Sequence, residues 1–190
     1  MWVEMTPLNA DAAEVLLMLV PTMRLIYTVR DGRDVACSLA RLPWGPRTIE
    51  EGILYWANRL RHCERELNGV PQNQVHTIYL EQLVLNDRDE SFDRLLRFLS
   101  LEREESMREF FDKEITVGKA NLGRWRAELT PARARAVNAL FRRTLRKLTD
   151  EGLCRLPPVY GTHGDGCWRV PPPGERSLVD PWADGRAADA

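Results

Sequence analysis

The segment Leu25-Ile-Tyr-Thr-Val-Arg-Asp-Gly-Arg-Asp-Val-Ala-Cys-Ser38 is where residue types and spacing point most clearly to chemistry. An apolar, β-rich run breaks at Arg30-Asp-Gly-Arg33 and resumes as a helix that carries a serine. Unpaired N–H groups and the positive dipole end at a helix start, together with a guanidinium at the end of the preceding strand, suit an oxyanion such as phosphate. Arg30 is that guanidinium, and Ser38, two turns on, offers a hydroxyl that reaches the same anion only if Arg30 folds back over the turn. The plainer reading of the turn pairs Arg30 and Arg33 with Asp31 and Asp34 in solvent.

Strands and helices must hold these groups. Asn9 is a plausible N-cap for a helix through about Leu19, stopped by Pro21, and Arg24 to Val29 follows as the first strand. Ile49, Ile53, Trp56, Leu60, Cys63 and Leu67 recur at helical spacing, so Thr48 to Leu67 reads as a long amphipathic helix ending at Asn68-Gly69. Val75 to Leu80 reads as a second strand. Phe92, Leu95, Leu96 and Leu99 mark a further helix, and Val137, Leu140, Phe141, Leu145 and Leu148 mark the last, with Thr130 as cap and Pro131 at its first position. Strands alternating with helices predict an α/β fold, a P-loop-type parallel sheet flanked by helices with a helix-rich C-terminal half. Two strands do not complete such a sheet, and the expected missing member is the leading strand. From residue 156 to residue 190 Pro and Gly accumulate without hydrophobic periodicity, so a domain over 1–155 and a flexible tail over 156–190 are expected, with Trp168 and Trp182 as the tail's large apolar groups.

Composition sets wider limits. A chain of 190 residues, 44% hydrophobic and 29% charged, is long enough for one domain with a real core, and a net charge of −1 gives no global attraction to nucleic acid or acidic membrane. The charge is nevertheless uneven. Lys119, Arg124, Arg126, Arg133, Arg135, Arg142, Arg143, Arg146 and Lys147 fall in one stretch with Glu128 as the acid among them, which suits a multiply phosphorylated ligand or, residue by residue, a solvated helix face. Cys37, Cys63, Cys154 and Cys167 lack zinc-type or Cys-x-x-Cys spacing, so neither a metal site nor a redox pair is expected. His62, His76 and His163 have no nucleophile or acid beside them in sequence, and none reads as a catalytic base. No basic region followed by an unbroken apolar run opens the chain, which predicts neither a signal peptide nor a membrane span and favours the cytoplasm.

Arg30-Asp-Gly-Arg-Asp-Val-Ala-Cys-Ser38 resembles the 3′-phosphate-binding segment of sulfotransferases that use 3′-phosphoadenosine 5′-phosphosulfate (PAPS), in bacterial and protein-tyrosine members. Three further segments agree in order and spacing. Trp2-Val-Glu-Met-Thr-Pro-Leu-Asn9 resembles a Trp-x-Glu-Lys-Thr-Pro-x-Asn element, Ile78-Tyr-Leu-Glu-Gln-Leu-Val-Leu85 a Tyr-Glu-Gln-Leu-Val-Leu strand–helix junction, and Gly123-Arg-Trp-Arg126 with Leu129-Thr-Pro131 the family's C-terminal Gly-Arg-Trp-Arg…Leu-Thr-Pro element. The resemblance implies that Arg30 and Ser38 hold the nucleotide's 3′-phosphate, that Arg124 and Lys119 add cations near it, and that Trp44 and Pro46 lie toward the acceptor. It implies PAPS as co-substrate, no metal, and a hydroxyl-bearing acceptor: a small molecule, a carbohydrate or a protein tyrosine.

Two differences from the family pattern stand out. The Lys/Arg-Ser-Gly-Thr-Thr loop that cradles the 5′-phosphosulfate does not occur in this sequence, and Met5 occupies the place of a lysine that carries charge at the sulfuryl group. Leu80 stands where a tyrosine packs on adenine, and Tyr79, one position earlier, points to the opposite face of a strand. The expectation is an N-terminally truncated sulfotransferase domain with no assigned catalytic residue and little or no transfer activity of its own. The alternative is a non-catalytic remnant that binds the nucleotide weakly or serves as an interaction module.

Overall fold

The computed structural model describes residues 3–6 and 9–158. Trp2, Pro7, Leu8, Cys167, His163 and the two tail tryptophans lie outside these residues. A short 3-10 turn, Asn9–Ala12, leads into α1 (Ala13–Leu19). β1 (Leu25–Val29) then runs into α2 (Gly32–Leu39), α3 (Ile49–Asn68) and β2 (Val75–Tyr79). A π-helical turn over Gln82–Asn86 precedes α4 (Arg88–Leu99), α5 (Glu105–Glu114), α6 (Val117–Ala120), α7 (Arg124–Glu128) and α8 (Pro131–Asp150).

The expected α/β organisation is present. β1 and β2 pair in parallel, Leu25 opposite Val75 through Val29 opposite Tyr79, with α2 and α3 as the crossover. The strands begin and end one residue inside their expected bounds, at Leu25 rather than Arg24 and at Tyr79 rather than Leu80. Arg24 lies just before the paired residues, its side chain donating to the Phe98 carbonyl (2.7 Å), and Leu80 already belongs to the following helical turn.

Helix ends follow local chemistry. Thr48 caps α3 by accepting from Glu51 N–H (3.1 Å), and Thr130 caps α8 by accepting from Arg133 N–H (3.4 Å) with Pro131 at the first position. α3 lies so close to α2 that two glycines are required at the contact. A Cβ on Gly52 would come 2.8 Å from the Ala36 Cβ, and one on Gly32 would come 2.5 Å from the Trp56 ring.

Two apolar cores result. The first joins Val29 and Ala36 to Ile53 and Trp56 of α3 and to Phe141 and Leu145 of α8. Leu156 and Pro157 are also buried, so packed chain extends past residue 155. Ile78, Leu83, Phe92, Leu96 and Phe111 form the second core, under α4 and α5. No helix among the described residues is long and apolar enough to cross a membrane.

Candidate nucleotide site

Asp31 organises the turn after β1. Its carboxylate caps α2 by accepting from Arg33 N–H (2.8 Å), and its own N–H donates to Glu81 Oε1 (2.9 Å). Asp31 and Glu81 each stand two residues past the paired strand ends Val29 and Tyr79, so this bond continues the sheet register beyond the strands.

Arg30 and Arg33, three residues apart, have different fates. The Arg33 guanidinium is buried. It donates to Asp31 through Nε (3.0 Å) and Nη2 (2.5 Å) and to Asn138 through Nη1 (2.5 Å), and it lies between the rings of Trp125 (4.2 Å) and Phe141 (4.4 Å). The Arg33–Asp31 pair of the plainer reading therefore exists, but inside the protein rather than in solvent. Arg30 keeps 23% of its side chain exposed. Its Nη2 donates to the Asn121 carbonyl (2.7 Å) and lies 3.7 Å from Asp34, while its Nε is enclosed without a partner.

Asp34 ties this turn to a segment some 90 residues away. Its carboxylate accepts from the N–H groups of Gly123 (2.8 Å) and Trp125 (3.1 Å), and its side chain is 2% exposed. Asn121 (φ 51°) and Gly123 (φ 72°) both adopt the left-handed region, which Asn and Gly tolerate best. These two reversals aim the Asn121 carbonyl at Arg30 and the Gly123 N–H at Asp34. Burial, then the neighbouring Asp31 charge, raises the Asp34 pKa above the usual carboxylate range. The same two causes push Glu81 up to about 7, and its Oε2 is buried without a partner.

Ser38 stands exposed on α2, two turns beyond Arg30. Arg124 is held by Glu128 (Nε to Oε1, 2.6 Å), and the same oxygen accepts from Arg41 Nη2 (2.5 Å) just past the end of α2. Lys119 turns to Glu114 (2.6 Å). The structure thus brings Arg30 to the loop that carries Arg124 and brings Arg124 to the end of the Ser38 helix, while Lys119 points to α5. The basic stretch is also less bare than its sequence implies, because Glu114 and Glu50 meet Lys119 and Arg133 (2.6 and 2.7 Å).

Glu81, Asn121 and Arg41 were not singled out in the sequence, and Asp34 was named there only as a solvent-exposed partner of the turn arginines. The one available signal was the Asn-x-Gly pair, both good formers of left-handed backbone, just before Arg-Trp-Arg. Elsewhere, His62 Nε2 lies 3.2 Å from Asp11, and His76 stacks on Phe98 at 5.1 Å, both away from this turn. Cys37 and Cys63 are buried free thiols, and no group of three or more His, Cys, Asp or Glu among the described residues could hold a metal ion.

No curated protein matches the chain. A solved structure of mouse sulfotransferase SULT7A1 complexed with PAP is similar at 16% identity and a TM-score of 0.49, with 72% of this chain covered. The chain spans 65% of that protein's length. The model of the sulfotransferase family matches residues 1–105, a span that contains the Arg30–Ser38 turn and helix but not Lys119 or Arg124. That match takes in more than half of the 190 residues and both strands of the sheet, and the chain belongs to the sulfotransferase family.

Proposed function

We propose that the Arg30–Ser38 turn and helix, together with the Asn121–Trp125 loop, bind the 3′-phosphate of PAPS and of its product adenosine 3′,5′-bisphosphate. The observation that carries this reading is Asp34, whose carboxylate holds the backbone of Gly123 and Trp125 against the turn that presents Arg30. Two segments that each resemble nucleotide-binding elements of the family thereby share one place. A guanidinium carries five N–H donors, and Asn121 engages one of Arg30's while Nε is enclosed. The rest of its exposed head, with the exposed Ser38 hydroxyl, is what the phosphate would meet. Arg124 and Lys119 add positive charge nearby once their carboxylate partners yield.

In the complete reaction an acceptor hydroxyl oxygen attacks the sulfur of PAPS in line. The bond from sulfur to the 5′-phosphate oxygen breaks, adenosine 3′,5′-bisphosphate leaves, and the hydroxyl proton passes to a base. Arg30 and Ser38 serve this step by fixing the donor's far end. No residue is assigned to the base. The acceptor is a hydroxyl-bearing small molecule, carbohydrate or protein tyrosine.

Titration calorimetry of the full chain with adenosine 3′,5′-bisphosphate tests the site. Arg30→Ala should weaken binding by about 30-fold, the size of one desolvated charge-assisted contact. Equal affinity in parent and variant rejects the assignment. A second reading, binding without transfer, is favoured by Met5, which is 87% exposed and uncharged where the resembling element has lysine. A radiolabelled-donor assay with phenolic, sugar and peptide acceptors separates the two, and label transferred by the parent chain removes the second.

A further inference from the structure

Glu128 Oε1 is the focus of two guanidiniums from different elements, Arg124 Nε on α7 at 2.6 Å and Arg41 Nη2 beyond α2 at 2.5 Å. Two cations converging on one carboxylate oxygen leave an excess positive charge, and the geometry is one that a phosphate monoester satisfies better. A phosphate dianion balances both charges and gives each guanidinium its own oxygen. The cluster lies alongside Ser38. Arg41 N–H bonds to the Ser38 carbonyl (3.3 Å), which places Arg41 one turn beyond the serine. The Cys37 thiol beside Ser38 feels the whole group: burial first, then Glu128 and Asp34, push it up to about 11, against the opposing pull of Arg124 and Arg41.

Exposure decides which member can move. Glu128 keeps 28% of its side chain accessible at the end of a helix of five residues, whereas Asp34, the other carboxylate facing this side of α2, is 2% exposed and fixed by two backbone N–H groups. Glu128 can swing away and Asp34 cannot.

We infer that Arg41 belongs to the phosphate clamp with Ser38 and Arg124, and that the Glu128 carboxylate is an internal competitor that occupies the clamp until a 3′-phosphate displaces it. This rests on the reading of the Arg30–Ser38 region as the 3′-phosphate site. It adds a binding residue, Arg41, outside the resembling motifs, and it makes affinity depend on an acid that the site supplies itself.

The experiment is calorimetry of the full chain with adenosine 3′,5′-bisphosphate and adenosine 5′-monophosphate, for the parent, Glu128→Gln, Arg41→Gln and the double variant. Thermal midpoints verify that each variant is folded. Glu128→Gln should tighten the bisphosphate by about five- to tenfold, as one displaced charge-assisted contact is removed, and leave the monophosphate unchanged. Adding Arg41→Gln should cancel that gain. Unchanged or weaker bisphosphate binding by Glu128→Gln overturns the competitor. Equal tightening of both nucleotides overturns the assignment to the 3′-phosphate. If Arg30→Ala weakens binding while Glu128→Gln changes nothing, this inference alone fails; if the bisphosphate binds neither parent nor Glu128→Gln, the site assignment falls with it.

Discussion

The two apolar cores are built on opposite plans. The first packs around charges: Arg33 is 6% exposed with its guanidinium 4.4 Å from the ring of the core residue Phe141, Asp34 is 2% exposed, and Glu81 is 5% exposed just past the end of the neighbouring strand. The second, Ile78 with Leu83, Phe92, Leu96 and Phe111, has no ionisable member, and its arginines, such as Arg88 over the Phe111 ring at 4.2 Å, stand at its rim. The difference teaches where this chain spends stability on specificity. A buried charge fixes geometry because each partner it lacks is costly, whereas an apolar cluster tolerates rearrangement as long as volume is kept.

The largest test of that contrast is Asp34→Ala. It strips the acceptors from Gly123 and Trp125 N–H and the counter-charge from Arg30, and it should cost about 3–5 kcal/mol in urea denaturation, the range for breaking a buried charged network. Bisphosphate binding should be lost with it. Asp34→Asn, which keeps one oxygen, should cost clearly less. A loss below about 1 kcal/mol for the alanine variant would mean that the loop holds its place without the carboxylate.

Glu81 supplies a pH-dependent version of the same test. Its pKa rises from 4.5 to about 7 on folding, so the folded chain binds this proton more tightly than the unfolded chain does. The stability it gives is full below pH 4.5 and is lost as pH climbs through 7, a decline of about 3 kcal/mol. Glu81→Gln keeps an acceptor for Asp31 N–H and removes that decline. It should therefore be more stable than the parent at pH 8 and not at pH 4.5, as read from melting curves at both. Parallel pH profiles would show that Glu81 finds compensation in solution, and the two cores would then differ less than their composition implies.

Much of the scaffold was legible in the sequence, for identifiable reasons. α3 carries an apolar stripe along its length and was read to within a residue of both ends, and α8 was read at its Thr130 cap, its Pro131 start and its stripe from Val137 to Leu148, its end at Asp150 not being given. β1 and the start of α2 follow from a β-branched run broken by Asp-Gly. α5, α6 and α7 were not read; α6 and α7, of four and five residues, hold too few turns for a period to declare itself. The candidate site was legible only in part. Arg30 stands at the turn where the sequence placed it, but its contact with Asn121 spans 91 positions and Asp34's contacts with Gly123 and Trp125 span 89 and 91. No local pattern encodes which carboxylate will meet which backbone at that distance. Glu128 was visible as the acid within a basic stretch; that one of its oxygens serves two arginines was not.

Gly32→Ala probes the first core by shape rather than charge. The added methyl would lie 2.5 Å from the Trp56 ring, which is itself held against Phe141 at 5.5 Å between centroids, so neither partner can step aside freely. A cost of about 1–3 kcal/mol is expected from overpacking. Chemical denaturation measures it, and a neutral result would show that the α2–α3 contact is looser than the glycine spacing requires.

The smallest effect belongs to the second core. Phe111 stacks on Phe92 at 4.5 Å and borders an open apolar groove of about 410 Å³ lined by Leu83, Leu95, Met107 and Phe110. Phe111→Leu removes more atoms than Gly32→Ala adds, and by size alone it should be the worse change. The groove gives its neighbours room to repack, however, and what is lost is chiefly the ring stack and the Arg88 guanidinium above it, about 1 kcal/mol together. Denaturant midpoints of the two variants, measured side by side, decide the order. If Phe111→Leu costs more than Gly32→Ala, the second core is as tightly specified as the first, and the charges in the first must be explained by the proposed nucleotide site rather than by any difference in how the two halves pack.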